Sequence, residues 1–450
     1  MGRGPPNLQI MRITTRTARR LLAVLTITAL LLPLAPATAA SRLARRGAPK
    51  PRVMVAVIDT GANPYHEYFH QSGPLYKGNA PSSVTPAVLR ELGIDKKHVI
   101  DVTRTGNFAE DFKEDRAEFE KIEKGELYWF KGTNVIGISF LADEPLRPDG
   151  DASAHGIGTA GAVLAANPEA IVITVEGMGV AEAEKWAFTH PAVDVISTSY
   201  GPPTSAPTLQ HLSNSYTGVV TNGKAHFGAA ANDPSWSTLD ETSGPWWTIG
   251  IAGYEEGDSN GRQVSSGNIP DFVGDFTQEL PYCRSCEEGL QSVGGTSFAT
   301  PRSAGTFSKI LLEARRAAGH LGGIVTKNKE PLLVDGRHSF SVWEMRRALE
   351  IAAYYPGSQE YGEPDPTSIP VAEQAPWFQM SWGLISPAKN YEVIEETLAN
   401  LGVKGKPNRT KPQEACDYMT ANMEARRAYW ERLAVNGQGF GQAEDPYIYC

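Results

Sequence analysis

Three short segments carry residue types suited to nucleophilic chemistry. The first is Val55-Ala56-Val57-Ile58-Asp59-Thr60-Gly61, a carboxylate at the end of an apolar run. Burying a lone carboxylate is costly unless hydrogen bonds or a cation compensate, so an acid here calls for a partner. The second is Asp151 to Val163, in which His155 opens a stretch of Gly, Ala and Thr. Small residues let such a helix press against a sheet and fix the imidazole. The third is Gly294-Gly295-Thr296-Ser297-Phe298-Ala299-Thr300-Pro301, a serine at the start of a long helical pattern with proline in the first turn. Backbone N–H groups at a helix start favour negative charge beside that serine. Singly, each has a plainer reading: a turn-opening Asp, a capping His, a Ser N-cap. Together, Asp59, His155 and Ser297 supply acid, base and nucleophile in chain order. Serine is a weak nucleophile until a base takes its proton, and the base must be held in one tautomer by a carboxylate.

The elements that must position these residues are legible from periodicity. Val53–Ile58 is a continuous apolar run of strand length, as expected for a strand buried on both faces. Ala170–Val175, Val193–Thr198 and Ala225–Ala231 are further strands. Gly156–Ala166, Ala181–Phe188 and Ser297–Ala317 read as helices, the last with an apolar stripe at Ala304, Phe307, Leu311 and Ala314. Residues 104–131, charged and aromatic, read as a helix-rich surface insertion. Val342–Ala353 and Asn390–Leu401 are amphipathic helices, residues 403–412 a linker, and residues 413–434 a polar helix. Strands alternating with helices indicate a parallel α/β sheet.

The three segments strongly resemble those of the subtilisin-like serine proteases, the subtilases, whose order is Asp, His, Ser. Their D-[ST]-G motif matches Asp59-Thr60-Gly61, and H-G-x-x-x-A-G matches His155-Gly156 with Ala160-Gly161. Their G-T-S-x-A-x-P motif matches Gly295 to Pro301 throughout and is the most specific of the three. Ser199-Tyr200-Gly201 looks like the family's segment lining the primary specificity pocket. Gly228 to Asn232 looks like the strand ending in the oxyanion-hole Asn, and Trp382-Gly383-Leu384-Ile385 like the closing G-x-G-x-[IV] segment. The resemblance implies a three-layer α/β/α fold with a mostly parallel central sheet. It also implies a serine endopeptidase acting through an acyl-enzyme, with Asp59, His155 and Ser297 as the triad, Asn232 as oxyanion donor, and Ser199, Tyr200 and Gly201 binding polypeptide substrate. Alternatives are a catalytically idle peptide-binding member of the family and an anchored processing protease with few substrates. No cofactor or metal is implied; calcium sites are frequent in the family, but none can be matched here residue by residue. Three departures stand out. Gly158 occupies the position of a second His, Ala231 that of a Gly before the oxyanion Asn, and only about a dozen residues stand where a pro-domain is usual.

Two nucleotide-like patterns compete. Gly177-Met178-Gly179 after an apolar run resembles the start of a dinucleotide fingerprint, but Glu182 replaces the third Gly and would repel a pyrophosphate. Gly218 to Lys224 nearly matches a P-loop, without the final Ser/Thr. Trp246, Trp247 and Trp377 are candidate substrate contacts, although buried aromatics are the more usual case.

The 450 residues are 41% hydrophobic and 21% charged, ordinary for a globular protein. The formal net charge of −9 argues against a nucleic-acid partner. Residues 1–52 hold ten basic residues and no acid. Arg3, Arg12, Arg16, Arg19 and Arg20 precede the apolar run Leu21–Leu34, and Ala37-Thr38-Ala39 follows it. Residues 1–39 thus read as a secretory signal peptide, the run being shorter than the ~20 residues of a membrane span. Cleavage there would take the net charge from −9 to −14. The expected organisation is a signal peptide at 1–39, a basic linker at 40–52, a catalytic domain at 53–402 and a C-terminal linker and helical tail at 403–450. The expected destination is extracellular, with no membrane partner after cleavage; no oligomeric state is implied. That compartment permits disulfides. Cys283, Cys286, Cys416 and Cys450 allow three connectivities. Cys283–Cys286 with Cys416–Cys450 is the preferred set; no second C-x-x-C supports zinc.

Overall fold

A ten-stranded sheet forms the centre. The computed structural model describes residues 51–76, 82–143, 145–148, 153–201, 209–232, 242–254, 270–318, 333–334, 339–355, 377–386 and 391–434. The strands are β1 (Met54–Asp59), β2 (Val99–Ile100), β3 (Tyr128–Phe130), β4 (Val135–Ser139), β5 (Ile171–Glu176), β6 (Val195–Thr198), β7 (Ala225–Ala229), β8 (Ile249–Tyr254), β9 (Phe272–Asp275) and, beyond the hairpin of β10 (Thr277–Leu280) and β11 (Gln291–Gly294), β12 (Leu384–Ile385). Their order across the sheet is β12-β9-β8-β7-β6-β1-β5-β4-β3-β2. Only the β3–β4 pair is antiparallel. The helices named below are α1 (Phe108–Glu120), α2 (His155–Ala166), α3 (Ala181–Thr189), α4 (Leu209–Tyr216), α5 (Thr296–Ala318), α6 (Val342–Ala352), α7 (Tyr391–Asn400) and α8 (Gln413–Ala434).

Side-chain alternation along β1 creates the layers. Val55 and Val57 join a core with Ile157, Ala160 and Val163 of α2 and Ala304, Phe307 and Leu311 of α5. Met54, Ala56 and Ile58 join a second core with Ala183, Ala187 and Phe188 of α3. This is the three-layer α/β/α arrangement, and it explains why β1 is apolar without interruption. The same alternation puts Asp59, two residues beyond Val57, on the face that α2 and α5 cover.

Helix α2 does not form from propensity. Its Gly156, Gly158 and Gly161 each cost about 1 kcal/mol relative to Ala. Ten of its residues are buried, and close packing offsets that cost. A Cβ on Gly156 would lie 2.5 Å from the Gly61 carbonyl oxygen, so only glycine lets the helix approach the turn after β1 this closely.

Helix α5 is anchored far from its serine. Arg315 donates through Nη2 to Asp194 Oδ1 at 2.6 Å and through Nη1 to Asp194 Oδ2 at 2.9 Å. Asp194 Oδ2 also accepts the Met54 N–H at 2.9 Å, and Arg315 Nη1 donates to Arg52 O at 2.7 Å. One buried ion pair thereby ties the end of α5 to the start of β1.

The region 104–131 mixes helix with sheet. α1 occupies its first half, and Tyr128–Phe130 enters the central sheet as β3, because Tyr128 and Phe130 have buried positions to fill. The helix over 413–434 is present as α8, and its Cys416, Met419, Met423 and Trp430 pack into the main core. Arg426 on the same helix donates to Asp271 Oδ1 at 2.9 Å. Trp246 and Trp247 are buried. Lys224 is buried too, its ammonium donating to the carbonyls of His190 and Val193, so it cannot serve a phosphate. Among the described residues no helix is long and apolar enough to cross a membrane. The expected signal peptide and Cys450 lie outside the described residues.

Asp194→Ala should lower folding stability by roughly 3–5 kcal/mol, because it leaves a buried guanidinium without its carboxylate. Urea unfolding would measure it; a loss below about 1 kcal/mol, the surface-pair range, would contradict the anchoring role.

Candidate active site

Asp59 is the last residue of β1 and is buried. Its carboxylate is satisfied from two segments. Thr60 N–H donates to Oδ1 at 2.8 Å, from the turn that follows the strand. His155 Nδ1 lies 2.9 Å from both carboxylate oxygens, and Thr159 Oγ1 donates to Oδ2 at 3.2 Å, both from α2. His155 and Thr159 stand four apart and so share one helix face. With Nδ1 bound to a carboxylate, the Nδ1–H tautomer is selected and Nε2 is left as the acceptor. The turn and the helix start are joined by further bonds: Thr60 Oγ1 donates to Ser153 O at 2.7 Å and accepts from Gly156 N–H at 2.9 Å. His155 is mostly buried. Desolvation opposes its protonation, but the Asp59 charge and hydrogen bond prevail and raise its pKa above the usual 6.5.

Ser297 is the second residue of α5 and is half-buried. In the first helical turn its backbone N–H has no acceptor within the helix. Pro301 is the sixth residue of α5, beyond the first turn expected from the sequence. Lacking an N–H, it leaves the Ser297 carbonyl without an intrahelical donor. The Ser199 hydroxyl fills that vacancy at 2.7 Å, and the Ser297 hydroxyl donates in return to Ser199 O at 3.3 Å. This reciprocal pair locks the helix start to the end of β6. The Ser297 hydroxyl thus rests on Ser199 and not on His155. The Phe298 and His155 rings stand 5.4 Å apart, which puts the neighbour of Ser297 against the imidazole.

Asn232 lies exposed beyond the end of β7. Its Oδ1 accepts the Thr296 N–H at 2.8 Å and the Thr296 hydroxyl at 3.0 Å. Both contacts are donors, so the amide oxygen must face Thr296 and Nδ2 is the end left to donate elsewhere. Ala231, just before it, has φ of +74°, the left-handed region that disfavours a Cβ.

The expected substrate-binding residues divide. Ser199 is buried and engaged with Ser297, as above. Tyr200 donates its hydroxyl to Glu184 Oε1 at 3.0 Å, and its carbonyl accepts from Thr242 Oγ1 at 3.1 Å. Gly201 is exposed. Cys283 and Cys286 are disulfide-bonded with Cα atoms 5.9 Å apart. Among the described residues no group of three or more His, Cys, Asp or Glu is arranged to hold a metal ion.

Residues 50–320 match the family described as subtilase, peptidase S8. The chain belongs to the subtilase family. Subtilases are serine peptidases, and their substrates are peptides. Among solved structures the chain is similar to "Prenylagaramide maturation protease PagA" at 12% identity, with 77% of this chain and 94% of that one covered and a TM-score of 0.43. It is also similar to a "Lanthipeptide Protease" at 15% identity, with coverages of 77% and 88% and a TM-score of 0.42. No curated protein matches. The family assignment rests on residues 50–320.

Two departures from the subtilase pattern now have physical accounts. A Cβ on Gly158 would lie 2.8 Å from Phe298 and 2.9 Å from Tyr282, so aromatic rings fill the space where a second His is usual. Ala231 takes the left-handed conformation that the usual Gly adopts without strain. Sequence reasoning missed Thr159, although its i+4 spacing from His155 could have found it. It also missed Glu176, which ends β5 level with Asp59. Glu176 is buried, which raises its pKa, while hydrogen bonds from Ser139 and the Leu146 N–H oppose the rise. The signal was a second acid closing an apolar strand.

Two outcomes follow from this geometry. Ala231→Gly should stabilise the fold by about 1 kcal/mol by relieving the positive φ; a fall in the unfolding midpoint would contradict it. His155, followed by NMR titration, should become protonated with a midpoint above 6.5. Asp59→Asn should move that midpoint down, since burial then acts unopposed; an unmoved midpoint would remove Asp59 as the cause.

Proposed function

We propose that this chain is an exported serine endopeptidase that cleaves peptide bonds through an acyl-enzyme intermediate. The observation that carries the reading is the Asp59–His155 pair, held beside the α5 start that bears Ser297 and the oriented Asn232 amide. The Ser297 hydroxyl oxygen has other staggered positions about the Cα–Cβ bond besides the one that faces Ser199 O. Catalytic hydrogen bonds often tighten only when substrate is bound.

Ser297 Oγ attacks the peptide carbonyl carbon while His155 Nε2 takes its proton. Asp59 stays ionised and stabilises the imidazolium. Asn232 Nδ2 and the Ser297 backbone N–H donate to the oxyanion of the tetrahedral intermediate. As the intermediate collapses, the C–N bond breaks, His155 gives its proton to the leaving amine, and the acyl group remains on Ser297. Water then attacks the ester, His155 takes its proton, and the second tetrahedral intermediate expels Ser297, which regains a proton from His155.

The substrate runs over the carboxyl edge of the sheet, as in other open α/β sheets. Gly177-Met178-Gly179, beyond β5, pairs with its backbone by strand addition. Met178 and Leu141, at the ends of β5 and β4, are among the few exposed large apolar side chains of the described residues, which supports a substrate with apolar groups beside the scissile bond. Export rests on the basic and apolar pattern of residues 1–39, with release at Ala39 or Ala40.

Ser297→Ala should abolish casein hydrolysis while leaving circular dichroism and melting unchanged; activity at the wild-type level would end the assignment. Asn232→Ala should lower kcat on the order of 10²–10³-fold, the scale for losing one oxyanion donor. A drop in affinity with kcat intact would mean that Asn232 binds substrate in its ground state.

A further inference from the structure

The loop between β10 and β11 contains a bracket that the chemistry above does not use. The Cys283–Cys286 disulfide closes a short loop around Arg284 and Ser285. Asn63, fully buried in the segment after β1, fastens that loop from one side. Its Nδ2 donates to Cys283 O at 3.1 Å and to Cys286 O at 2.8 Å, while its Oδ1 accepts the Tyr65 N–H at 2.9 Å. The amide is therefore oriented without ambiguity, and the disulfide loop is fixed to the segment that leaves Asp59.

Arg284 then reaches the two places that carry the acid and the base. Nη1 donates to Thr60 O at 3.4 Å and to Ser153 O at 3.3 Å. Nε donates to Pro148 O at 3.2 Å, and Nη2 to Arg147 O. A planar guanidinium with five N–H donors is suited to several carbonyls at once; a lysine ammonium lacks that fork. The carbonyl owners are not incidental. The Thr60 N–H donates to Asp59, and the Ser153 hydroxyl accepts the His155 N–H at 3.1 Å. Thr60 and Ser153 are thus each one step from a catalytic residue, while Arg147 and Pro148 hold the other side of the guanidinium.

We propose that Arg284, braced by the Cys283–Cys286 loop and Asn63, is a positioning residue that holds the Asp59 turn and the His155 helix start in register, so that Nδ1 of His155 meets the Asp59 carboxylate. The bracket works through geometry: the cation itself touches neither reacting group. Among the described residues, the carboxylate facing the imidazole is Asp59, and level with it on the adjacent strand is Glu176, on which the Arg284 charge also acts. This inference rests on Asp59, His155 and Ser297 forming a working triad.

The test uses the purified full chain with p-nitrophenyl acetate as probe, so that no natural substrate is needed. Arg284→Ala should lower kcat on the order of 10- to 100-fold with little change in KM, the scale expected when a catalytic group is slightly misplaced. The acid-limb midpoint of kcat/KM should move down as the Asp59 contact loosens. Guanidinium added at millimolar concentration should restore part of the rate, and Arg284→Lys should fall between wild type and Ala. Cys283→Ser with Cys286→Ser should act in the same direction and add little to Arg284→Ala, because both break one unit. Wild-type kcat and an unmoved pH profile in Arg284→Ala would overturn the inference. So would a rate loss with the midpoint unmoved and no guanidinium rescue, which would mark Arg284 as a loop staple only. If Arg284→Ala does not fold, Arg284→Lys carries the same comparison. A wild type whose ester hydrolysis survives Ser297→Ala would fail the protease reading instead. The bracket would then be judged from the His155 Nδ1–H resonance, which should shift in Arg284→Ala; an unshifted resonance would overturn it.

Discussion

A carboxylate at the end of a buried strand is the constraint on which this architecture turns. Asp59 has left water, and a buried charge must be compensated locally. The donors come from the turn after β1 and from one face of α2. Satisfying Asp59 therefore requires that the turn, the helix start and the strand end meet within a few ångströms. Gly156 permits that approach, since any side chain there would strike the Gly61 backbone. The poor helix propensity of α2 follows from this demand, because close approach excludes larger residues.

The nucleophile helix is placed by independent means. Pro301 removes the bond that would have satisfied the Ser297 carbonyl, and the end of β6 supplies the replacement through Ser199. At its other end α5 is tied to the start of β1 by Arg315 and Asp194. Strand β1 thus carries Asp59 at one end and holds the far end of α5 at the other. The serine and the acid are referred to the same strand, which makes their spacing a property of the sheet and not of loops.

Much of this was legible in the sequence because it depends on local pattern. Val53–Ile58, Ala170–Val175 and Ser297–Ala317 announce themselves by uninterrupted apolar runs or a 3.6-residue stripe, and each is present within one or two residues. β2 is two residues long and carries no periodicity, and β8 and β9 lie among turn-forming residues, so they escaped notice; β12 was marked only by the resemblance of Trp382 to Ile385 to a family segment. α8 reads as polar because its buried face is narrow and includes Arg426 beside Cys416, Met419, Met423 and Trp430. Tertiary contacts left the least trace. Arg284 lies about 130 residues from Ser153 and more than 220 from Thr60, and nothing in its neighbourhood signals that its guanidinium meets their carbonyls. The positive φ at Ala231 was inferable only because a glycine is usual there.

The central claim is that Ser297 is a nucleophile activated by His155 and Asp59. Labelling of the purified protein with a fluorophosphonate probe, with mass spectrometry of the adduct, tests it most directly. The account predicts a single modification at Ser297 that is lost in His155→Ala. Absence of labelling in folded wild-type protein, or labelling that persists without His155, would contradict it.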